Sequence, residues 1–412
     1  MNNQLKKSYG IFIWHGFFLT LTMSMIDFNT VFPSLISTLV DSKIIFGLLY
    51  SIMLGAPKLF NIVFSHYMNS YDYRKKFLIG GIYLRAFSFF GMAAFTYFFG
   101  ADNPKLVIIS FFFWVLLFSL SGGFAGMSYS EIVGKTVRKE DRGKLYASKQ
   151  FAASLAAFLG GMVVQNIFSG NSFNFPLNYS LTLFIGFSGL IIASIAFWFI
   201  DEPPSENKDE DILSLKEYIK KVPNILKADN NFIQYIIVEN MASFSRMLLP
   251  FYIVYARETF KIGASYIGKY LLYQLAGTVL SNLLWGYISD RFNSKKVVRI
   301  CILGGGLIPL IALAITPAGP EVFVVIFFMI GFLKSGRKVG FEPYLLNIAP
   351  DDRRTVYLGI RGTLNFMVVL LPLLGGIFID YLGYLFTFIL VSVVMLTAFY
   401  LMGKEKLKYN HD

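Results

Sequence analysis

The stretch Trp285-Gly286-Tyr287-Ile288-Ser289-Asp290-Arg291-Phe292-Asn293-Ser294-Lys295-Lys296 is a short charged turn set between two long apolar runs. It reads G-x-x-x-D-R-x-x-S-K-K. Gly286 closes the first run, where two helices would be able to approach closely. Asp290 and Arg291 then supply an acid–base pair, and Lys295 and Lys296 form a basic cluster that would be costly to drag through hydrocarbon. Such a turn reads as a loop between two membrane spans, held on the side where positive charge collects.

Composition supports that reading along the whole chain. Of 412 residues, 55% are hydrophobic and only 15% charged, where a soluble domain carries about a quarter. Apolar stretches near the roughly 20 residues needed to cross a bilayer core recur throughout. The fold class is therefore an all-α, polytopic membrane protein. The net charge of +12, a hint of nucleic acid in a soluble protein, is accounted for by basic loops, so no nucleic-acid partner is expected. One cysteine, Cys301, excludes an internal disulfide framework, and His15, His66 and His411 without a Cys cluster offer no metal ligand set. No cofactor is expected. The first apolar run is too long for a signal-peptide core and lacks a small-residue cleavage site, so it reads as a retained span.

Twelve spans are expected, at about 10–37, 44–66, 77–99, 105–129, 146–168, 181–200, 232–254, 264–288, 297–316, 322–347, 356–379 and 384–403. They fall into an N-terminal six-helix bundle (1–200), a linker with an interfacial helix (201–231) and a C-terminal six-helix bundle (232–412). With both termini cytoplasmic, Lys and Arg outside the spans gather on the cytoplasmic side. Only Lys43, Lys105, Arg257 and Lys261 fall on the other. An internal repeat joins the two bundles. At a constant offset of 211, Glu131, Asp141, Arg142 and Tyr146 answer to Glu342, Asp352, Arg353 and Tyr357. Gly160-Gly161 answers to Gly375-Gly376 four residues later, about one helical turn. Four coincidences at one offset make duplication the better account.

On these residues the chain resembles the major facilitator superfamily of transporters, in its bacterial twelve-helix form. The opening stretch is similar to that family's signature loop between the second and third helices of a half. The runs Pro250-Phe251-Tyr252-Ile253-Val254-Tyr255-Ala256-Arg257 and Ile267-Gly268 look like the start of its second half, and Thr30-Val31-Phe32-Pro33-Ser34-Leu35 is similar to its first helix. The resemblance implies two pseudo-symmetric six-helix bundles around a central cavity, lined by helices one, four, seven and ten and opened alternately by rocking. It also implies that Gly286, Asp290, Arg291, Lys295 and Lys296 form a gating motif whose Asp latches the halves. The first half departs from the pattern. Aligning Lys75-Lys76 with Lys295-Lys296 puts His66 at the place of Gly286 and Ser70 at that of Asp290. The fifth helix also lacks the G-P-x-x-G-G of family antiporters and reads Ala156-Ala157-Phe158-Leu159-Gly160-Gly161, which weakens the case for drug–proton antiport.

Ionisable groups inside spans cost about 2.5–3.5 kcal/mol at a helix centre, so each needs a partner or a task. Lys334-Ser335-Gly336-Arg337-Lys338 puts three cations within five residues of span ten. Lys334 and Lys338 share a face at i,i+4, with Glu342 one turn on, while Gly336 and Gly340 permit backbone approach or local unwinding. The cluster either binds an anionic group or pairs with Glu342, Asp27 or Glu239 to hold the bundle. Asp27 and Asn29 lie mid-span in helix one, Glu239 and Arg246 in helix seven. Burial favours a neutral carboxyl and nearby cations favour a charged one, so Asp27 and Glu239 are the candidate proton sites. Lys334, Arg337, Lys338, Arg246 and Asn29 are the candidate substrate ligands. Lys58 and Arg85 are weaker candidates, Arg85 lying within snorkelling reach of the cytoplasmic edge. Glu131, Glu342, Asp141, Arg142, Asp352 and Arg353 are expected as gate or loop anchors.

Gly134-Lys135-Thr136 lacks the earlier glycine and the strand of a phosphate-binding loop, so ion or solute gradients would drive transport. The expectation is a non-enzymatic secondary transporter, monomeric, in the inner cell membrane. It would move a small anionic or zwitterionic solute, with protons or another ion as coupling partner. Efflux of amphipathic or cationic compounds is the rival within transport. A lipid-directed transferase and a solute-sensing receptor are the rivals from other classes.

Overall fold

The computed structural model describes residues 3–69, 71–170, 173–204, 229–350 and 354–404. Among them are fifteen α-helices and no strand, as expected where the backbone finds no partner in hydrocarbon and must satisfy itself. The first half contains α1 (Asn3–Met25), α2 (Val31–Leu39), α3 (Lys43–Asn69), α4 (Lys75–Phe99), α5 (Pro104–Thr136), α6 (Arg142–Ser169) and α7 (Leu177–Ile195). The second contains α8 (Asn230–Ala242), α9 (Ser245–Leu248), α10 (Phe251–Phe260), α11 (Ala264–Arg291), α12 (Ser294–Ile315), α13 (Pro320–Ile348), α14 (Arg354–Leu364) and α15 (Leu371–Lys404). Among the described residues, seven helical stretches are long and apolar enough to cross a membrane. One of them, Tyr357–Gly403, has 47 residues, enough for two crossings at about 1.5 Å per residue. It bends at Gly383, whose φ of 79° suits glycine and separates spans eleven and twelve. Large apolar side chains such as Phe98, Phe113, Phe151 and Tyr381 stand exposed, as on a surface that meets lipid rather than water.

Local signals place the helix starts. Asn103 caps α5 by accepting from the Leu106 amide at 3.2 Å, with Pro104 in the first turn. Asp229 does the same for α8 through Phe232, and Asn293 for α12 through Lys296. The charged turn at Phe292–Asn293 is thus two residues long, a tight reversal whose polar residue satisfies the start of the next helix.

Two compact units emerge. One holds α1–α7 together with Ile262–Leu272, the other the remaining second half. The same pairs of spans pack in each. Span one lies against span five in the first unit (α1 on α6), and span seven against span eleven in the second (α9 at Gly375 of α15, and α8 through Phe232 on the Tyr357 ring of α14). Likewise α4 packs on α5 and α7, while α12 packs on α13 and α15. The repeated glycines sit at matching contacts. A Cβ on Gly160 would lie 2.8 Å from Ser24 Cβ of α1, and one on Gly375 would lie 2.4 Å from the Met247 carbonyl oxygen of α9. Spans eight and ten are closer still, since a Cβ on Gly331 would fall 1.8 Å from the Gln274 carbonyl oxygen.

Three expected spans are not continuous helices. Span one breaks between Met25 and Val31, span seven between Ala242 and Phe251, and span eleven passes through a 3-10 stretch at Asn365–Leu370. A proline accompanies each of the first two, Pro33 in the first turn of α2 and Pro250 immediately before α10. Its ring and missing N–H oppose an uninterrupted helix. Hydropathy reports burial and not hydrogen bonding, so it runs straight across such breaks. Gly286 also differs from expectation. The helix continues through it to Arg291, and a Cβ there would meet nothing within 4 Å. Its neighbour Trp285, fully buried, makes the interhelical contact instead, its Nε1 donating to the Phe332 carbonyl at 2.8 Å. The expected interfacial helix falls within 205–228, outside the described residues.

Candidate functional site

The break in span one is built by Asp27. Its Oδ1 accepts from the Asn29 amide at 2.9 Å and from Thr30 Oγ1 at 3.0 Å, and its carbonyl accepts from the Phe32 amide at 3.1 Å. This is a side-chain-closed turn of the kind Asp favours, offering an unwound backbone the partners that a helix would have supplied. Asn29 is buried beside it and accepts from Tyr50 Oη at 3.4 Å.

The break in span seven is capped from span ten. When α8 ends at Ala242 its last carbonyls lose their intrahelical donors. Arg337 Nη1 donates to the Ala242 carbonyl at 3.0 Å, its Nη2 lies 3.5 Å from Ser243 Oγ, and its guanidinium sits 4.5 Å from the centre of the Phe341 ring. A cation at the negative end of a helix is favourably placed. One turn back, buried Glu239 receives Arg361 of α14 in a forked pair, with Nε 2.9 Å from both carboxylate oxygens and Nη2 2.5 Å from Oε1. Arg361 was not singled out in the sequence. It lies in a segment of mixed polarity, and only the fold brings it to Glu239. Arg246 sits half-buried on α9 beside these groups.

Within span ten the three cations separate. Arg337 turns to the helix-seven break, whereas Lys334 and Lys338 stand exposed, one turn apart, with no acid paired to either among the described residues. Ser335 points the other way and donates to Asn282 Oδ1 at 2.5 Å. Gly336 and Gly340 serve backbone approach and not unwinding. A Cβ on Gly336 would lie 2.6 Å from Cys301 Sγ, and α13 runs unbroken through both.

The anchor residues behave differently in the two repeats. Glu131 binds Arg74 Nε at 2.5 Å and Lys135 at 3.2 Å. Lys135 also reaches Glu202 at 2.9 Å, and Glu202 accepts from the Arg74 and Lys75 amides at the start of α4. Glu202, expected at the head of the linker, is thereby tied into the first unit. Its neighbour Asp201 pairs with Lys7 at 2.8 Å, and that hydrogen bond lowers the Asp201 pKa. Arg138 pairs with Asp141, while Arg142 caps α5 through the Gly134 and Val137 carbonyls. Glu342, the counterpart of Glu131, is exposed and has no ion pair among the described residues. In the signature turn, Arg291 donates to Tyr287 Oη and Lys296 lies over the Phe292 ring. Lys295 is half-buried. Asp290 lies in the last turn of α11, and Asp352 and Arg353 lie outside the described residues.

The family model of the Major Facilitator Superfamily matches twice, over residues 13–240 and 235–410. The chain belongs to the major facilitator superfamily. The double match agrees with the duplicated packing and makes this superfamily member a membrane transporter of the all-α fold. Among solved structures, it resembles a mutant of the nucleoside transporter NupG, with a TM-score of 0.73 at 13% identity, covering 96% of this chain and 98% of that one. It resembles a D-xylose–proton symporter with a TM-score of 0.70 at 16% identity, over 99% of both chains. A bacterial homologue of the iron transporter ferroportin, in its inward-facing state, matches with a TM-score of 0.67 at 13% identity over 97% of this chain. At such identities the likeness is one of fold. In sequence, a Na(+), Li(+), K(+)/H(+) antiporter of Planococcus maritimus is 32% identical over 155 residues. That match spans 36% of this superfamily member and 36% of the antiporter's length.

Proposed function

We propose that this superfamily member is a secondary active transporter of a small anionic or zwitterionic solute. It works by alternating access in the inner cell membrane with both termini cytoplasmic. The observation that carries the reading is the pair Lys334 and Lys338, two exposed cations one turn apart on span ten without an acidic partner among the described residues. Charges left unpaired within a span are costly unless a ligand uses them. Arg337 is committed to the helix-seven break, so it orients the site rather than holding the solute directly. Arg246 and Asn29 remain candidate ligands of their own units, and Asp27 and Glu239 the candidate proton sites of a coupled cycle.

Proteoliposomes loaded with a pH-sensitive dye test this. Pools of organic acids, amino acids and sugars are added in turn, against empty liposomes. An organic-acid or amino-acid pool should trigger a saturable proton flux, and replacing both lysines by Gln should raise KM by about tenfold or more, as expected for losing a charge-assisted contact. Wild-type kinetics from the double variant would remove the lysines from the site.

Cation–proton antiport is the second reading, favoured by the local identity to the Planococcus antiporter. Asp27 and Glu239 would then be the cation sites. A proton flux triggered by sodium or potassium pulses, and by none of the solute pools, selects it. Binding of a solute with no flux from any pulse selects a receptor.

A further inference from the structure

Helices α1, α4, α5, α6 and α7 surround a cavity of about 120 Å³ inside the first unit, and its lining includes His15, Arg85, Gly122, Gly126, Tyr129 and Lys149. The other lining residues are leucine, isoleucine and alanine, and no Asp or Glu is among them. Arg85 does not snorkel. Its guanidinium turns inward, 4.3 Å from the centre of the Phe118 ring, with Nη2 3.7 Å from Met23 Sδ. Its Nε is buried without a hydrogen-bond partner. Gly122 makes room for this pose, since a Cβ there would lie 3.1 Å from Nη1. Lys149 Nζ donates to Tyr129 Oη at 2.8 Å and sits 4.3 Å from that ring's centre. The Nδ1 of buried His15 also lacks a partner.

The lining of the cavity therefore carries two formal positive charges, an imidazole with an idle ring nitrogen, and no counter-charge. An aromatic face and a thioether are weak substitutes for a carboxylate beside a guanidinium. A buried donor left unmade is costly, and here the idle donor belongs to a residue lining an open space. A small oxyanion would satisfy it. The guanidinium presents a fork suited to two oxygens, and the ammonium adds a point charge.

We propose that this cavity is an anion-binding site for a single carboxylate or phosphate group, held by Arg85 and Lys149. The apolar remainder of the lining accommodates a short hydrocarbon portion. The proposal deepens the anionic-solute reading and rests on it for its place in the transport cycle. Occupancy of the cavity can be tested without transport.

The test uses the purified full chain in nanodiscs of neutral phosphatidylcholine, titrated with sodium phosphate, acetate or benzoate at constant ionic strength set by chloride. The readout is thermal unfolding together with calorimetric binding. At least one anion should bind saturably in the wild type. Arg85→Gln should weaken it by about tenfold or more, the loss of one charge-assisted hydrogen bond. Gly126 offers a second variant, because a Cβ there meets nothing within 4 Å. Gly126→Val should partly fill the cavity and weaken binding while leaving every charge and the unfolding temperature in place. A parallel set in phosphatidylglycerol discs without added anion identifies the source. Stabilisation found only there, and lost in Arg85→Gln, assigns the site to a lipid headgroup phosphate. Anion binding that is absent in both lipids, or unchanged in both variants, overturns the proposal. Arg85-dependent binding without any flux would instead overturn the transport reading and leave the site standing.

Discussion

At the scale of single residues, a charge in this protein is best read through the group that answers it. Glu239 is buried and its forked bond from Arg361 satisfies both oxygens. Arg361→Gln should strand the carboxylate and destabilise the protein by about 3 kcal/mol or more, whereas replacing both partners by apolar residues should recover most of that. Thermal unfolding of the two single variants and the double variant, closed as a cycle, checks the coupling. Asp27 allows a sharper separation of roles. Asp27→Asn keeps an Oδ1 acceptor for Asn29 and Thr30, so the break in span one should persist and the unfolding temperature should change little. Proton flux should be lost if the carboxyl is a coupling site, and a variant with normal proton flux would leave Asp27 a purely structural turn residue. Asp201 behaves in the opposite way to a physiological switch. Lys7 lowers its pKa, so its contribution is fully present above the unfolded value of about 3.9 and is lost as pH falls through the lower folded value. Between pH 5 and 8 the Lys7–Asp201 pair should add no pH dependence, and Asp201→Asn should leave the unfolding curve's pH profile unchanged over that range.

At the scale of elements, the close pairs of helices depend on positions with no side chain. Gly160→Val would drive a branched side chain into Ser24 and the Leu21 carbonyl, and a cost of about 1–3 kcal/mol is expected from overpacking. Gly375→Val faces the Met247 backbone directly at 2.4 Å, which cannot swing aside as a side chain can, so it should be the more damaging of the two. Unfolding temperatures in one detergent rank them, and the reverse order would show that the Met247 backbone yields more readily than Ser24. The breaks in spans one and seven follow a common plan with different parts. Span one closes its gap with its own Asp27, while span seven borrows Arg337 from α13. Arg337→Gln should therefore disturb stability as well as transport, whereas Lys334→Gln and Lys338→Gln should disturb transport alone.

At the scale of the whole molecule, helical fold class and membrane character were legible because each rests on a quantity summed over many residues. The apolar runs determined an all-α membrane protein, the 211-residue offset suggested a duplication, and the resemblance pointed to the superfamily that the family match then established. What the chain's order could not reveal was which charges meet. Arg361 finds Glu239 across 122 positions, Arg74 finds Glu131 across 57, and Lys135 finds Glu202 across 67. Such pairs carry no local spacing signal. The same holds for the cavity at Arg85, since a cation near a span edge can reach outward to headgroups or inward to a ring with equal chain geometry. Only packing, with Gly122 leaving space and Phe118 offering a face, decided that it turns inward. The sequence alone determined how much charge lies within the membrane, and in which spans, because hydropathy is additive along a helix. Tertiary structure alone decided which of those charges are neutralised, because that depends on contacts between helices far apart in the chain.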